Sequence, residues 1–146
     1  MKNSLRISLK PNEKIYINGA VVKVDRKVSI ELLNDVQFLL ENHVMQAEQA
    51  STPLRQLYFM VQIMLMTPGD AAEARALFRR TLPALLAAFA DDHICRSLKD
   101  IDRLVSEGDV YAALKAIRAL YPLEAEVLEA SSSGIADYPV AQLGAA

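Results

Sequence analysis

Tryptophan is absent from this chain, cysteine occurs once and histidine twice among 146 residues. A single thiol, Cys95, cannot form an internal disulfide, which suits a reducing compartment. Two lone histidines, a lone cysteine and five glycines leave no paired-Cys zinc pattern, glycine-rich phosphate loop or nucleophile elbow. The most apolar stretch, Leu57 to Met66, is about half the length of a membrane span. Charges in Met1–Lys10 interrupt any signal-peptide apolar region. These absences point to a cytoplasmic protein that binds no membrane, metal or cofactor and is not an enzyme.

What is present is an ordinary soluble composition, 52% hydrophobic and 23% charged, with an uneven charge distribution. Residues 1–27 carry +5 and residues 28–146 carry -7, although the whole chain is only -2. A basic end on an acidic chain is a recognised hint of an anionic partner.

The first third alternates with the period of strands. Leu5, Ile7 and Leu9 alternate with Arg6, Ser8 and Lys10. Asn18-Gly19 between apolar runs signals a two-residue hairpin, because a type I′ turn needs positive φ at both positions. That loop pairs Ile17 with Ala20, Ile15 with Val22 and Glu13 with Val24. Val28, Ile30 and Leu32 form another strand after Asp25-Arg26-Lys27, and Val36–Leu40 reads as a strand or a short helix. Four or five short antiparallel strands predict a small barrel or sandwich.

From Ser51 the period becomes helical. Thr52-Pro53 is an N-cap with proline at the first helical position, opening a helix to about Met66. A second runs from Ala71 to about Phe89, with Pro83 expected to kink or split it. Asp91 or Asp92 caps a third, whose Ile94, Leu98, Ile101 and Val105 form one stripe. Asp109 caps a fourth, ending at Pro122, with Leu123–Ala130 adding a turn or two. The expected class is α+β: a basic β module at 1–50, about four helices at 51–130 and a flexible tail at 131–146.

If the odd-numbered strand residues of the first two strands face inward, Arg6, Lys10, Lys14, Tyr16 and Lys23 share an outer surface, with Arg26 and Lys27 at a turn. Such a surface attracts phosphate, and an exposed ring can stack on an unpaired base. Solubilising lysines on a small sheet give the same pattern and are the commoner case. Arg75, Arg79 and Arg80 read as a solvated helix face. The helix at 52–66 is apolar nearly all round, so it is either a central core helix or an interface. Leu57, Phe59, Met60, Ile63 and Met66 are the candidates for an oligomer or partner surface. His93 and Cys95, two apart on a helix, point in different directions and are poor joint metal ligands. His43 reads as a structural hydrogen-bonding residue.

Three ungapped runs resemble the FlbT family: Leu5–Lys10 through Ile15–Val28, Ile30–Val44 and Thr52–Phe59. The resemblance implies a post-transcriptional regulator of flagellum biogenesis. Such a protein associates with the 5′ untranslated region of flagellin mRNA, represses translation and promotes decay, while some members act positively. More loosely, the β segment is similar to the carbon-storage regulator CsrA in its Leu-x-Ile-x-Leu strand followed by a turn with Glu. The CsrA late-strand arginine has no secure counterpart, so that site is not carried over. The implied partners are a flagellin mRNA leader, flagellin or a flagellar regulatory protein, and further copies in a homo-oligomer.

Overall fold

The computed structural model describes residues 5–34 and 36–132. Five strands come first: β1 (Leu5–Leu9), β2 (Lys14–Ile17), β3 (Ala20–Lys23), β4 (Val28–Leu32) and β5 (Phe38–Leu40). Four helices follow: α1 (Pro53–Met66), α2 (Ala71–Ala88), α3 (Asp92–Ser106) and α4 (Val110–Ser132). The class is α+β. The strands do not close into a barrel; β1 pairs with β4, and β3–β2–β5 form a separate antiparallel sheet.

The hairpin register is the one the Asn-Gly turn dictates, with Ile17 opposite Ala20 and Ile15 opposite Val22. Asn18 and Gly19 both have positive φ, 50° and 87°. A Cβ on Gly19 would lie 3.2 Å from Pro68 Cδ and Cγ, so the hairpin tip sits hard against the α1–α2 connection.

Two apolar clusters define three layers. Ile7 and Leu9 of the first sheet meet Ile15 and Phe38 of the second, with Val28, Ile30 and Leu32 completing the space between. Leu39 and Tyr16, paired across β5 and β2, point to the opposite side, onto the helical core. The β3–β2–β5 sheet is therefore a middle layer between the β1–β4 ribbon and the helices. Phe38 also stacks on Tyr111 of α4, centroids 4.5 Å apart.

The helix N-termini follow their capping residues. Thr52 Oγ1 accepts from the Arg55 N–H at 3.2 Å, Asp91 from the Ile94 N–H at 3.0 Å and Asp109 from the Ala112 N–H at 3.2 Å. Asp70 precedes α2 without a side-chain cap. The α3 stripe Ile94, Leu98, Ile101 and Val105 is fully covered. Helix α1 packs most extensively on α4 and α2, which makes it the central helix of the bundle.

Pro122 does not end α4, nor does Pro83 divide α2; both helices run through. Each proline removes one i→i−4 bond at a cost of about 3 kcal/mol in isolation. Both lie on exposed faces, where water can reach the freed carbonyls, while the opposite faces are held in the core. The last two residues of α4 take up the start of the expected tail; the remainder lies outside the described residues.

Candidate nucleic-acid interface

The cationic residues of the β module do not share one strand face. With Ile7 and Leu9 inward, Arg6 lies on the outer side of the β1–β4 ribbon, where it pairs with Glu31 at 3.4 Å. Lys14 and Lys23, cross-strand partners, follow the parity of Tyr16 and lie on the other side of the middle sheet. Tyr16 is half-buried against the helical core, so its ring is not an open stacking platform. The expectation of a single face fails because the sandwich has a third layer, which turns the outward face of β2 toward the helices.

The turns gather the cations instead. Lys10 ends β1, Lys14 opens β2, Lys23 closes β3, and Arg26 and Lys27 lead into β4. The two connections are tied together: the Asn12 N–H donates to the Val24 carbonyl at 2.7 Å, and the Val24 N–H to the Glu13 carbonyl at 3.3 Å. Five of the seven candidate side chains thus stand at one end of the module. Lys10, Lys23, Arg26 and Lys27 are exposed and Lys14 is half-buried.

Three acids share this end, but two are used to fix the backbone. Glu13 Oε1 accepts from the Lys10 N–H and Glu41 Oε1 from the Lys14 N–H, both at 2.8 Å. The third, Asp25, pairs with Arg26 at 3.3 Å with both side chains about four-fifths exposed, an interaction of little strength. Lys10, Lys14, Lys23 and Lys27 form no ion pair among the described residues. The end carries a local +2 on a chain of net -2.

The apolar helix divides between core and surface. Leu57 and Met60 are buried inside the bundle. Phe59, Ile63 and Met66 are half-buried and line a groove of about 390 Å³ with Tyr16. Above them the β5–α1 linker is clamped by Gln62, which accepts from the Met45 N–H at 2.7 Å and donates to the Met45 carbonyl at 2.9 Å.

A polar constellation that the sequence does not advertise lies between that linker, α1 and α4. The Tyr58 hydroxyl donates to the His43 carbonyl at 2.7 Å and accepts from Arg118 at 3.0 Å. The Arg55 guanidinium lies over the Tyr121 ring at 4.2 Å. Glu124, 2% exposed, accepts from the Thr52 hydroxyl at 2.6 Å and from the Leu54 N–H at 2.7 Å. Burial pushes the Glu124 carboxyl up, opposed by those two bonds. Burial also raises the Tyr58 and Tyr121 hydroxyls. Burial, and then Arg118, lowers the His43 imidazole from its ordinary value. The His43 backbone carbonyl is the anchor for Tyr58. Nothing local announces the partners of Glu124 and Arg118, which are joined across 60 to 72 residues; the one cue is Thr52, a cap whose hydroxyl can bond twice.

Among the described residues no three His, Cys, Asp or Glu side chains gather to hold a metal ion, and no helix is long and apolar enough to cross a membrane. The Cys95 thiol donates to the Phe89 carbonyl at 3.2 Å.

The family described as "Flagellar protein FlbT" matches residues 5–128. A relative from Mesorhizobium japonicum, named "Probable flagellum biosynthesis repressor protein FlbT", is 69% identical over 128 residues, covering 88% of this chain and 87% of its own. Proteins of the same name from Chelativorans sp. and Agrobacterium fabrum are 63% and 56% identical, each over 88–89% of this chain and 86–90% of their own. No solved structure matches.

Proposed function

The chain belongs to the FlbT family, and from that membership we propose that it represses flagellum biosynthesis by binding the 5′ untranslated region of flagellin mRNA. Binding there would block translation and promote decay of the message. The repressor role rests on the names of the relatives, and the RNA target on the resemblance of residues 5–59. The observation that supports an RNA-binding mechanism is the basic end, where five cations converge and two neighbouring acids are occupied with backbone N–H groups. Cations projecting from a fixed backbone around paired turns can meet successive phosphates of a single strand, releasing counterions as they do.

The test is a gel-shift titration of a flagellin leader against a scrambled RNA at two salt concentrations. Five phosphate contacts give a log–log salt slope of roughly −3.5 for a single strand. Lys10→Glu with Lys27→Glu strips leader binding. Arg6→Glu, on the outer ribbon face, changes affinity less than about twofold. Parent-like binding by the double variant, or loss of binding in Arg6→Glu, refutes this interface. The alternative is a protein-interaction role through the Phe59–Ile63–Met66 groove, for flagellin or a flagellar regulator. Capture of such a protein that resists nuclease and high salt would favour it.

A further inference from the structure

We propose that the cleft between the β5–α1 linker and helices α1 and α4 is a phosphate-binding site, built on Arg55 and Arg118. The proposal goes beyond the basic end, although the two adjoin: Glu41 locks the Lys14 N–H, and the next two residues, Asn42 and His43, line the cleft. The cleft holds about 200 Å³, room for an oxyanion but less than the 300 Å³ or more that drug-sized ligands occupy.

Two half-buried arginines line it, and neither has a carboxylate within 4 Å among the described residues. That is unusual in a chain with more acids than bases. Each guanidinium is held in place without a direct ion pair among the described residues. The Arg55 Cζ lies over the Tyr121 ring, 4.2 Å from its centroid, and its guanidinium makes no hydrogen bond among the described residues. Arg118 gives one of its five N–H donors to Tyr58, whose hydroxyl is anchored to the His43 carbonyl. Glu124 is the carboxylate that acts electrostatically on Arg55, and it offsets part of that charge; its two oxygens are bonded to Thr52 and Leu54, so it makes no direct ion pair with the guanidinium. The Tyr121 hydroxyl is buried and without a partner. Guanidinium forks without a direct ion pair match phosphate oxygens better than they match any group the cleft already contains.

His43 supplies the readout. It lines the cleft, whereas His93, the only other histidine, is exposed on α3. A bound phosphate raises the His43 pKa and moves its ring resonances, leaving His93 as the internal control.

The experiment is an NMR titration of the full chain with inorganic phosphate, a 5′-nucleoside monophosphate and a short single-stranded RNA. The expected result is saturable movement of His43 alone, weakened roughly tenfold or more in Arg118→Gln and in Arg55→Gln. Tyr121→Phe, which removes only the unpartnered hydroxyl, verifies that the cleft tolerates substitution with its fold intact. Response to phosphate and mononucleotide identifies a free phosphorylated metabolite as a competent source; response to RNA alone identifies a backbone phosphate. Equal movement of both histidines with all three probes, none with any, or unchanged titration in both folded arginine variants overturns the site. Lys10→Glu with Lys27→Glu separates the two assignments: it should abolish leader binding and leave phosphate titration of His43 in place.

Discussion

Replacing Glu124 tests the join between the fourth helix and the first. Its carboxylate takes the place of a local capping box, since Thr52 caps α1 and Glu124 completes the cap from seventy residues away. In Glu124→Ala the Leu54 N–H, on a residue that is 0% exposed, loses its acceptor. An orphaned buried donor costs about 1–3 kcal/mol, and the truncated side chain leaves a void worth about 1 kcal/mol more. Relief of the buried charge gives some of this back. The expected net loss is about 3 kcal/mol, or a fall in Tm of roughly 6–12 °C for a chain of this size.

Glu124→Gln separates shape from charge. The amide oxygen can accept from Leu54 and the amide nitrogen can donate to Thr52, so the loss at pH 7 should be about 1 kcal/mol. The pH dependence is the sharper test. A carboxyl whose folded pKa lies above its ordinary 4.5 favours folding in its protonated form. Its contribution is fully present below 4.5 and is lost as pH rises through the raised folded value. Wild type should therefore gain on Glu124→Gln as pH falls from 7 toward 4.5. Urea unfolding followed by circular dichroism at several pH values measures this. Alanine within about 0.5 kcal/mol of wild type, or a pH-independent gap to glutamine, would refute the reasoning.

Gln62→Leu strands both the N–H and the carbonyl of Met45. It should cost about 2–4 kcal/mol and speed hydrogen exchange across residues 41–50. Protection of that linker at the wild-type level would count against the clamp. Gly19→Ala should destabilise by about 1–2 kcal/mol, because alanine is strained at φ +87° and its Cβ meets Pro68 at 3.2 Å. An unchanged Tm would show that the hairpin tip yields freely.

Features set by neighbouring residues were legible. Asn18-Gly19 determined the hairpin register, Thr52-Pro53 the start of α1, Asp91 or Asp92 the cap of α3, which Asp91 provides, and the spacing of Ile94, Leu98, Ile101 and Val105 its inner face. Layer order was not legible. Alternation on β2 reveals that it has two faces, but not that a ribbon covers Ile15 while helices cover Tyr16. Pro122 misled for a related reason: its local penalty is real, but the packing of α4 on α1 outweighs it. With α4 ended at Pro122, Glu124 fell outside the helix that carries it into the core.

The cationic surface shows the same division between local and long-range causes. Alternation along β1 and β2 grouped Arg6 with Lys14, and stacking of the sheets then placed them on opposite sides of the module. What brings Lys10, Lys14, Lys23, Arg26 and Lys27 together is two turns bonded to each other through Asn12, Glu13 and Val24. Glu13 and Glu41, which composition counts against a basic patch, accept from the backbone N–H groups of Lys10 and Lys14 and so hold those residues in position. A carboxylate used this way subtracts its charge from the local field yet fixes where the neighbouring cations stand. What these bonds fix is the backbone from which Lys10 and Lys14 project; the lysine side chains themselves form no ion pair among the described residues, so holding them against any anion still costs their rotamer entropy.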